Sequence, residues 1–246
     1  MSITIIIPRR GINDDGKGKK HALRKLITAA ATEYVWLQDD DITPPPVTPD
    51  TNADLLILPL RMVGGSTLLE RLQIAEYAAL QQLTVIAAEH HHPVMCSGAN
   101  LIVKRQQWLE SWQDIHPEIP SGDDMFLLES FKRRKLRIDI IDNPDYTATV
   151  KAIPDWRTFL HQRMRWAGKA PHYTDRDIRF CGAAVLIANI LQILFPPVLL
   201  VKFPLEYRLI KKRDASVSLL DALLLELIYP FYMAVCLVGG MFRRKW

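Results

Sequence analysis

The sequence predicts an α/β domain followed by membrane-associated C-terminal helices, and three observations carry that prediction. Short apolar runs rich in branched and aromatic residues alternate with stretches of helical period up to about residue 150. Acidic clusters stand where two of these elements begin or end. Beyond Arg179 the chain turns strongly apolar, with basic residues at the flanks. The organisation expected is an α/β domain over 1–150, an amphipathic segment over 151–178 and two apolar membrane helices over 179–246.

The 246 residues are 49% hydrophobic and 24% charged, enough for one sizeable domain and a further segment. The net charge of +4 is mild, and the basic residues gather at Lys132 to Arg137 and around the apolar C-terminal segments. That distribution suits anionic lipid or phosphate. No long basic stripe with interleaved aromatics is present, so nucleic acid is not an expected partner. The three cysteines, Cys96, Cys181 and Cys236, lie far apart and suggest neither a disulfide framework nor a metal cluster. The apolar run Ile3 to Ile7 is too short for a secretory signal and is followed by Pro8 and arginines.

Ile3 to Ile7 reads as a buried strand ended by Pro8, which has no N–H to continue a ladder. A polar, glycine-punctuated loop follows, and from Lys19 the spacing of Leu23, Leu26, Ile27 and Ala30 predicts a helix. Gly11, Gly16 and Lys17 nearly match a P-loop, but Gly18 stands where a Ser or Thr hydroxyl would bind magnesium. Tyr34 to Leu37 predicts a buried strand that leaves its sheet at Asp39, Asp40 and Asp41, before Pro44 to Pro46 stop regular structure. Three adjacent acids repel one another, and a divalent ion with hard oxygen ligands is one means of offsetting that repulsion; a solvated turn is the other reading.

Asp54 to Leu60 predicts a further strand, Ser66 to about Gln82 a helix, and Val85 to Ala88 a short strand leading into His90, His91 and His92. Three consecutive histidines cannot all face one metal from a regular element, so these read as loop. Cys96 to Val103 has small residues entering a strand, the pattern of a backbone passing close to a ligand. Asp123 and Asp124 precede an apolar helical face (Phe126, Leu127, Phe131), where the helix dipole favours anions and Ser121 or Asp123 would serve as a cap. Two adjacent carboxylates raise one another's proton affinity, and a positioned carboxylate is what a general base needs. Ile138 to Ile141 predicts the last strand.

Trp156 to Lys169 is aromatic and basic. Arg165 beside Trp166 offers a cation and an indole face, suited to a phosphate or sugar ring, while an amphipathic helix on a membrane explains the same residues. Phe180 to Val201 is about 22 residues without formal charge, interrupted by Pro196 and Pro197. Leu219 to Phe242 holds Asp221 and Glu226 near its start and is apolar thereafter. Basic clusters flank every end, so two spans and a re-entrant or interfacial hairpin are both compatible with the charges.

Taken in order, these motifs resemble family 2 inverting glycosyltransferases of the GT-A type, in particular membrane-attached bacterial members. Gly18, Lys19, Ala22 and Leu23 resemble the Gly-Lys-x-x-Ala-Leu segment ahead of the metal strand, and Asp39 to Asp41 resemble the Asp-x-Asp motif. Gly98, Ala99 and Asn100 resemble the segment near the acceptor pocket. Asp123 and Asp124 match the acidic pair whose second member is the general base. Gln162, Arg165 and Trp166 match Gln-x-x-Arg-Trp. The chain departs from the family between Pro8 and Lys19, where only about ten residues stand in place of a second strand and a nucleoside-binding acid.

The resemblance implies a GT-A-like mixed sheet flanked by helices, and transfer of a sugar from a nucleotide-sugar donor to a hydroxyl of a glycan or lipid-linked acceptor. It implies Mn2+ or Mg2+ on Asp39 and Asp41, and catalysis by Asp124 with Asp123. Lys19, Gln162, Arg165 and Trp166 would lie at the donor diphosphate, with Gly98, Ala99, Asn100 and Trp166 on the acceptor side. Membrane lipid, a second copy of the chain or a synthase subunit are the partners it implies, at the cytoplasmic face of a bacterial inner membrane. Two other functions fit the residues: a catalytically impaired, membrane-attached scaffold, and a nucleoside triphosphatase built on the near P-loop.

Overall fold

The computed structural model describes residues 2–9 and 17–242, so Gly11 and Gly16 of the near P-loop lie outside the described residues. The chain is mixed α/β and divides into two compact units. The first comprises residues up to Leu60 together with 87–150, and the second comprises 61–86 with 151–246.

In the first unit, β1 (Ile3–Ile6) leads through α1 (Lys19–Ala29) to β2 (Tyr34–Gln38), which lies parallel to β1 with Ile3 opposite Tyr34. A turn at Asp40 and Asp41 gives β3 (Ile42–Thr43), which pairs antiparallel with β8 (Ala148–Lys151) through Ile42 and Val150. β4 (Leu55–Ile57) and β7 (Ile138–Ile140) are parallel neighbours. Between β2 and β4, antiparallel to both, runs β6 (Asn100–Lys104). The main sheet is therefore mixed, in the order β1-β2-β6-β4-β7. Its centre explains the composition of β6, since Leu101, Ile102 and Val103 are wholly buried on both faces. Tyr34, Trp36, Leu56, Leu58 and Ile102 form one apolar layer of this unit. α3 (Arg105–Glu110) and α4 (Asp123–Arg133) complete it. Arg105 donates to the carbonyls of Ile27 and Thr28, both at 2.8 Å, and so satisfies the exposed end of α1.

In the second unit, β5 (Leu60–Val63) precedes α2 (Leu68–Glu89), which starts in a reciprocal cap. The Thr67 hydroxyl accepts from the Glu70 N–H at 3.2 Å, and the Glu70 carboxylate accepts from the Thr67 N–H at 3.0 Å. α5 (Trp156–Ala167) is capped by Asp155, and α6 (Arg176–Leu194) by Asp175. After them come α7 (Leu199–Arg213) and α8 (Leu219–Phe242). Leu72, Ala75 and Ala78 of α2 pack on Ile210, Val217, Ala222 and Leu225. Among the described residues two helices, α6 and α8, are long and apolar enough to cross a membrane, with mean hydropathies of 1.6 and 1.9.

The structure corrects one expected element and sharpens the bounds of three. Val85 to Ala88 is the last part of α2, because Val85 and Gln82 extend the inner stripe of Ala75 and Ala78 at helical spacing. The strand expected from Asp54 and closed by Pro59 is β4, and Leu60 beyond the proline opens β5. The small residues Cys96 to Ala99 stay outside β6. Phe180 to Val201 is divided, because Pro196 and Pro197 admit only a 3₁₀ turn between α6 and α7.

Candidate active site

The sheet topology brings three chain ends to one edge. β1 and β2 are parallel, so the start of α1 and the residue after β2 lie beyond the same ends of their strands. β6 runs antiparallel with Gln38 opposite Asn100, so the residues just before β6 arrive there too. Lys19 is the first residue of α1, Asp39 the first after β2, and Gly98 stands two residues before β6.

These residues meet. The Lys19 ammonium donates to Asp39 Oδ1 at 2.6 Å and lies 3.8 Å from Asp123 Oδ2. Lys19 and Asp39 are each about a third exposed (35% and 34%), whereas Asp123 is nearly closed off at 7%. Burial alone would depress the Lys19 pKa, but Asp123, Asp39 and Asp124 outweigh it and hold the group above its ordinary value.

Asp123 and Asp124 open α4 without a side-chain cap. The N-cap position falls to Gly122, in the left-handed region at φ 75° and with no side chain to offer, rather than to Ser121 (φ 90°) or Asp123. The Asp124 carboxylate is oriented at both oxygens. Oδ2 accepts from the Gly98 N–H at 3.2 Å and Oδ1 from the Met125 N–H at 2.8 Å. A Cβ on Gly98 would stand 3.3 Å from Asp123 Oδ2 and 3.7 Å from the Lys19 ammonium. Only glycine leaves the acids and the lysine their present spacing.

Ala99 and Asn100 are buried. The Asn100 side chain accepts from Trp36 Nε1 at 2.9 Å and donates to the carbonyls of Pro59 at 2.8 Å and Tyr146 at 3.0 Å. Its amide thus knits β2, β6 and the loop at Tyr146, and holds Gly98 from behind. Lys20, absent from the sequence reading, and Cys96 also contribute. Lys20, 3% exposed, donates to the carbonyls of Ile115 and His116 at 2.6 and 2.8 Å and fixes the approach to Ser121. Cys96 donates its thiol to the Asp124 carbonyl at 3.3 Å, and burial together with Asp124 and Asp123 pushes that thiol well above its usual pKa. The role of Lys20 carries no signal in the sequence, because it depends on contacts with a distant segment.

No family model and no curated protein sequence matches the chain. Among solved structures, a mycobacterial protein whose structure is described only as "Crystal Structure of a Mycobacterial Protein" aligns over 61% of this chain and 50% of its own, at 16% identity and a TM-score of 0.31. The chain spans about half the length of that protein.

Asp39 and Asp41 supply hard carboxylate oxygens from one turn, the donor type that Mg2+ and Mn2+ take together with substrate phosphates. Among the described residues no group of three or more His, Cys, Asp or Glu side chains converges, so such an ion would take its remaining ligands from substrate and water. Partial burial and the neighbours Asp39 and Asp40 push the Asp41 carboxyl above its ordinary pKa, an environment that a cation would relieve. The three histidines His90 to His92 are exposed in the turn after α2.

Gln162, Arg165 and Trp166 lie on α5 in the second unit. Arg165 and Trp166 are exposed, and between them and Gln162 stands Arg163, one of the basic residues of this segment, whose burial the sequence does not disclose. Arg163 is 5% exposed, donates to Glu76 and to Gln162 Oε1 at 2.8 Å, and stacks on the Phe159 and Trp166 rings at 4.8 and 4.3 Å. Tyr232 gives its hydroxyl hydrogen to the other Glu76 oxygen.

Proposed function

We propose that the chain is a metal-dependent inverting glycosyltransferase that moves a sugar from a nucleotide-sugar donor to a hydroxyl of a glycan or lipid-linked acceptor, attached to a membrane. The observation supporting this is one ammonium, Lys19, set 2.6 Å from Asp39 and 3.8 Å from Asp123, with the Gly98 N–H on the adjacent Asp124. Residues from four motifs that resemble the family in sequence order lie together beyond the ends of β2 and β6 in the first unit.

In this reading Asp124 takes the proton of the acceptor hydroxyl as its oxygen attacks the anomeric carbon. The bond from that carbon to the diphosphate oxygen breaks, and the electron pair leaves with the nucleoside diphosphate. Gly98 and Met125 hold the Asp124 carboxylate in one orientation, while Lys19 faces the departing diphosphate as a fixed positive charge. A divalent ion on Asp39 and Asp41 would supply further neutralisation of that leaving group. Asp40, exposed in the turn, is the spacer. Gln162, Arg165 and Trp166 receive no step here.

The test is release of nucleoside diphosphate from a panel of nucleotide sugars with Mn2+ or Mg2+. Asp124→Asn is expected to lower the rate by about 10²- to 10⁴-fold, and Asp41→Ala to abolish metal-dependent release. Absence of release with every donor, together with no nucleotide binding by calorimetry, would sink the enzyme reading and favour the scaffold. Hydrolysis of ATP or GTP without dependence on a nucleotide sugar would favour the triphosphatase.

A further inference from the structure

α8 is largely apolar, with Asp221 and Glu226 paired on its packed side, and its two faces meet different surroundings. One face is packed within the second unit from end to end. Near its start, Asp221 accepts from Arg71 Nε at 3.0 Å. At its middle, the Tyr232 ring lies 5.7 Å from Phe159 of α5, and its hydroxyl reaches Glu76 of α2. At its end, Gly240 is so close to α5 that a Cβ would stand 2.8 Å from the Gly168 nitrogen. From Asp221 to Gly240 is about 28 Å at 1.5 Å per residue, nearly the thickness of a hydrocarbon core.

The opposite face carries Leu220, Leu227, Phe231, Val235, Val238 and Phe242, which are 46–81% exposed and recur at intervals of seven, four or three residues. It forms one continuous apolar stripe. Nothing polar interrupts it.

Were α8 to cross a bilayer, its partner α5 would enter the bilayer with it. Phe159 meets Tyr232 at the midpoint of α8, so Asp155 and Arg157, both exposed at the start of α5, would stand near the centre of the hydrocarbon. Exposed charges at that depth are strongly unfavourable. With α8 parallel to the surface, α5 keeps its charges in water, and the stripe alone enters lipid. Basic residues complement an anionic surface at the ends of the neighbouring helices: Lys211 to Arg213 close α7, and Arg176 and Arg179 open α6.

We infer that α8 is a monotopic anchor: it lies in the plane of the membrane with its exposed stripe in a single leaflet of an anionic bilayer, and does not cross it. This rests on the membrane part of the proposed function and not on sugar transfer.

The test is a depth profile on the full-length chain bound to vesicles of phosphatidylcholine and phosphatidylglycerol. Leu220→Cys, Phe231→Cys and Met241→Cys, each in a Cys181→Ser background, are labelled with bimane and quenched by lipids brominated at different depths. The same shallow depth is expected at all three sites, and Phe231→Asp combined with Val235→Asp is expected to weaken vesicle binding at least tenfold. Should one cysteine variant fail to fold, Val238→Cys serves in its place. A deep label at Phe231 between two shallow ones at Leu220 and Met241 would overturn the inference while leaving membrane attachment intact. Absence of vesicle binding, with a dimer seen by light scattering, would overturn both and assign the stripe to a second copy. Nucleotide-sugar turnover, measured separately, is untouched by either result.

Discussion

Arg163 donates two hydrogen bonds to a single Glu76 oxygen, at 2.6 Å from Nη2 and 3.2 Å from Nε, with the two side chains only 5% and 6% exposed. The pair joins α2 to α5 across 87 positions of sequence. Removing one partner leaves the other charge buried and uncompensated, so Glu76→Ala is expected to lower the unfolding free energy by about 3–5 kcal/mol. The double replacement Glu76→Leu with Arg163→Met is expected to lose much less. Denaturant unfolding of the single and double variants measures the difference.

Lys19 supplies a pH signature. Its folded pKa lies above the ordinary lysine value, so its stabilisation is fully present below about pH 10.4 and is lost as pH rises through the higher folded value. Lys19→Met is therefore expected to melt below wild type by a margin that stays flat from neutral pH to about pH 10 and closes only above it. Calorimetric melts across that range provide the check, and a margin already closing at pH 8 would contradict the assignment.

Cys96 should be inert in the native protein. Its thiol is buried and held above the usual pKa with Asp123 and Asp124 alongside, so little nucleophilic thiolate forms. Mass spectrometry after iodoacetamide treatment at pH 8 is expected to find Cys96 unmodified until denaturant is added.

Two helical glycines should respond in opposite directions. A Cβ at Gly240 meets the Gly168 nitrogen at 2.8 Å and the Met164 carbonyl oxygen at 3.0 Å, and neither backbone atom can yield cheaply. Gly240→Ala is expected to destabilise by about 1–3 kcal/mol. Gly182, on α6, has nothing within 4 Å of such a Cβ, and Gly182→Ala is expected to be neutral or to stabilise by up to about 1 kcal/mol. Parallel melting curves in detergent compare them.

What the sequence made legible follows the range of the interaction responsible. β1, β2 and β7 were readable because each is an uninterrupted local pattern, α8 because of its long apolar run after Glu226, and α1 because Leu23, Leu26 and Ile27 repeat at helical spacing. Val85 to Ala88 misled because a short apolar run has no period of its own, and only the stripe running back through Ala75 reveals it as helix. In the candidate site the acids and Lys19 were identifiable by type and order. The oriented N–H of Gly98, the anchoring of Lys20 at Ile115 and the Arg163–Glu76 pair were not, because each joins segments far apart in the chain.

The second unit is built from two stretches of chain, and its α2 face of Leu72, Ala75 and Ala78 is completed only by Ile210 and the residues after it. Some 130 residues separate Ala78 from Ile210. At typical ribosomal speeds that interval is on the order of ten seconds. Throughout it a nascent helix displays its apolar side with no native partner yet synthesised, which makes this face the natural point of engagement for a ribosome-associated chaperone and the first place where a stalled or truncated product would aggregate.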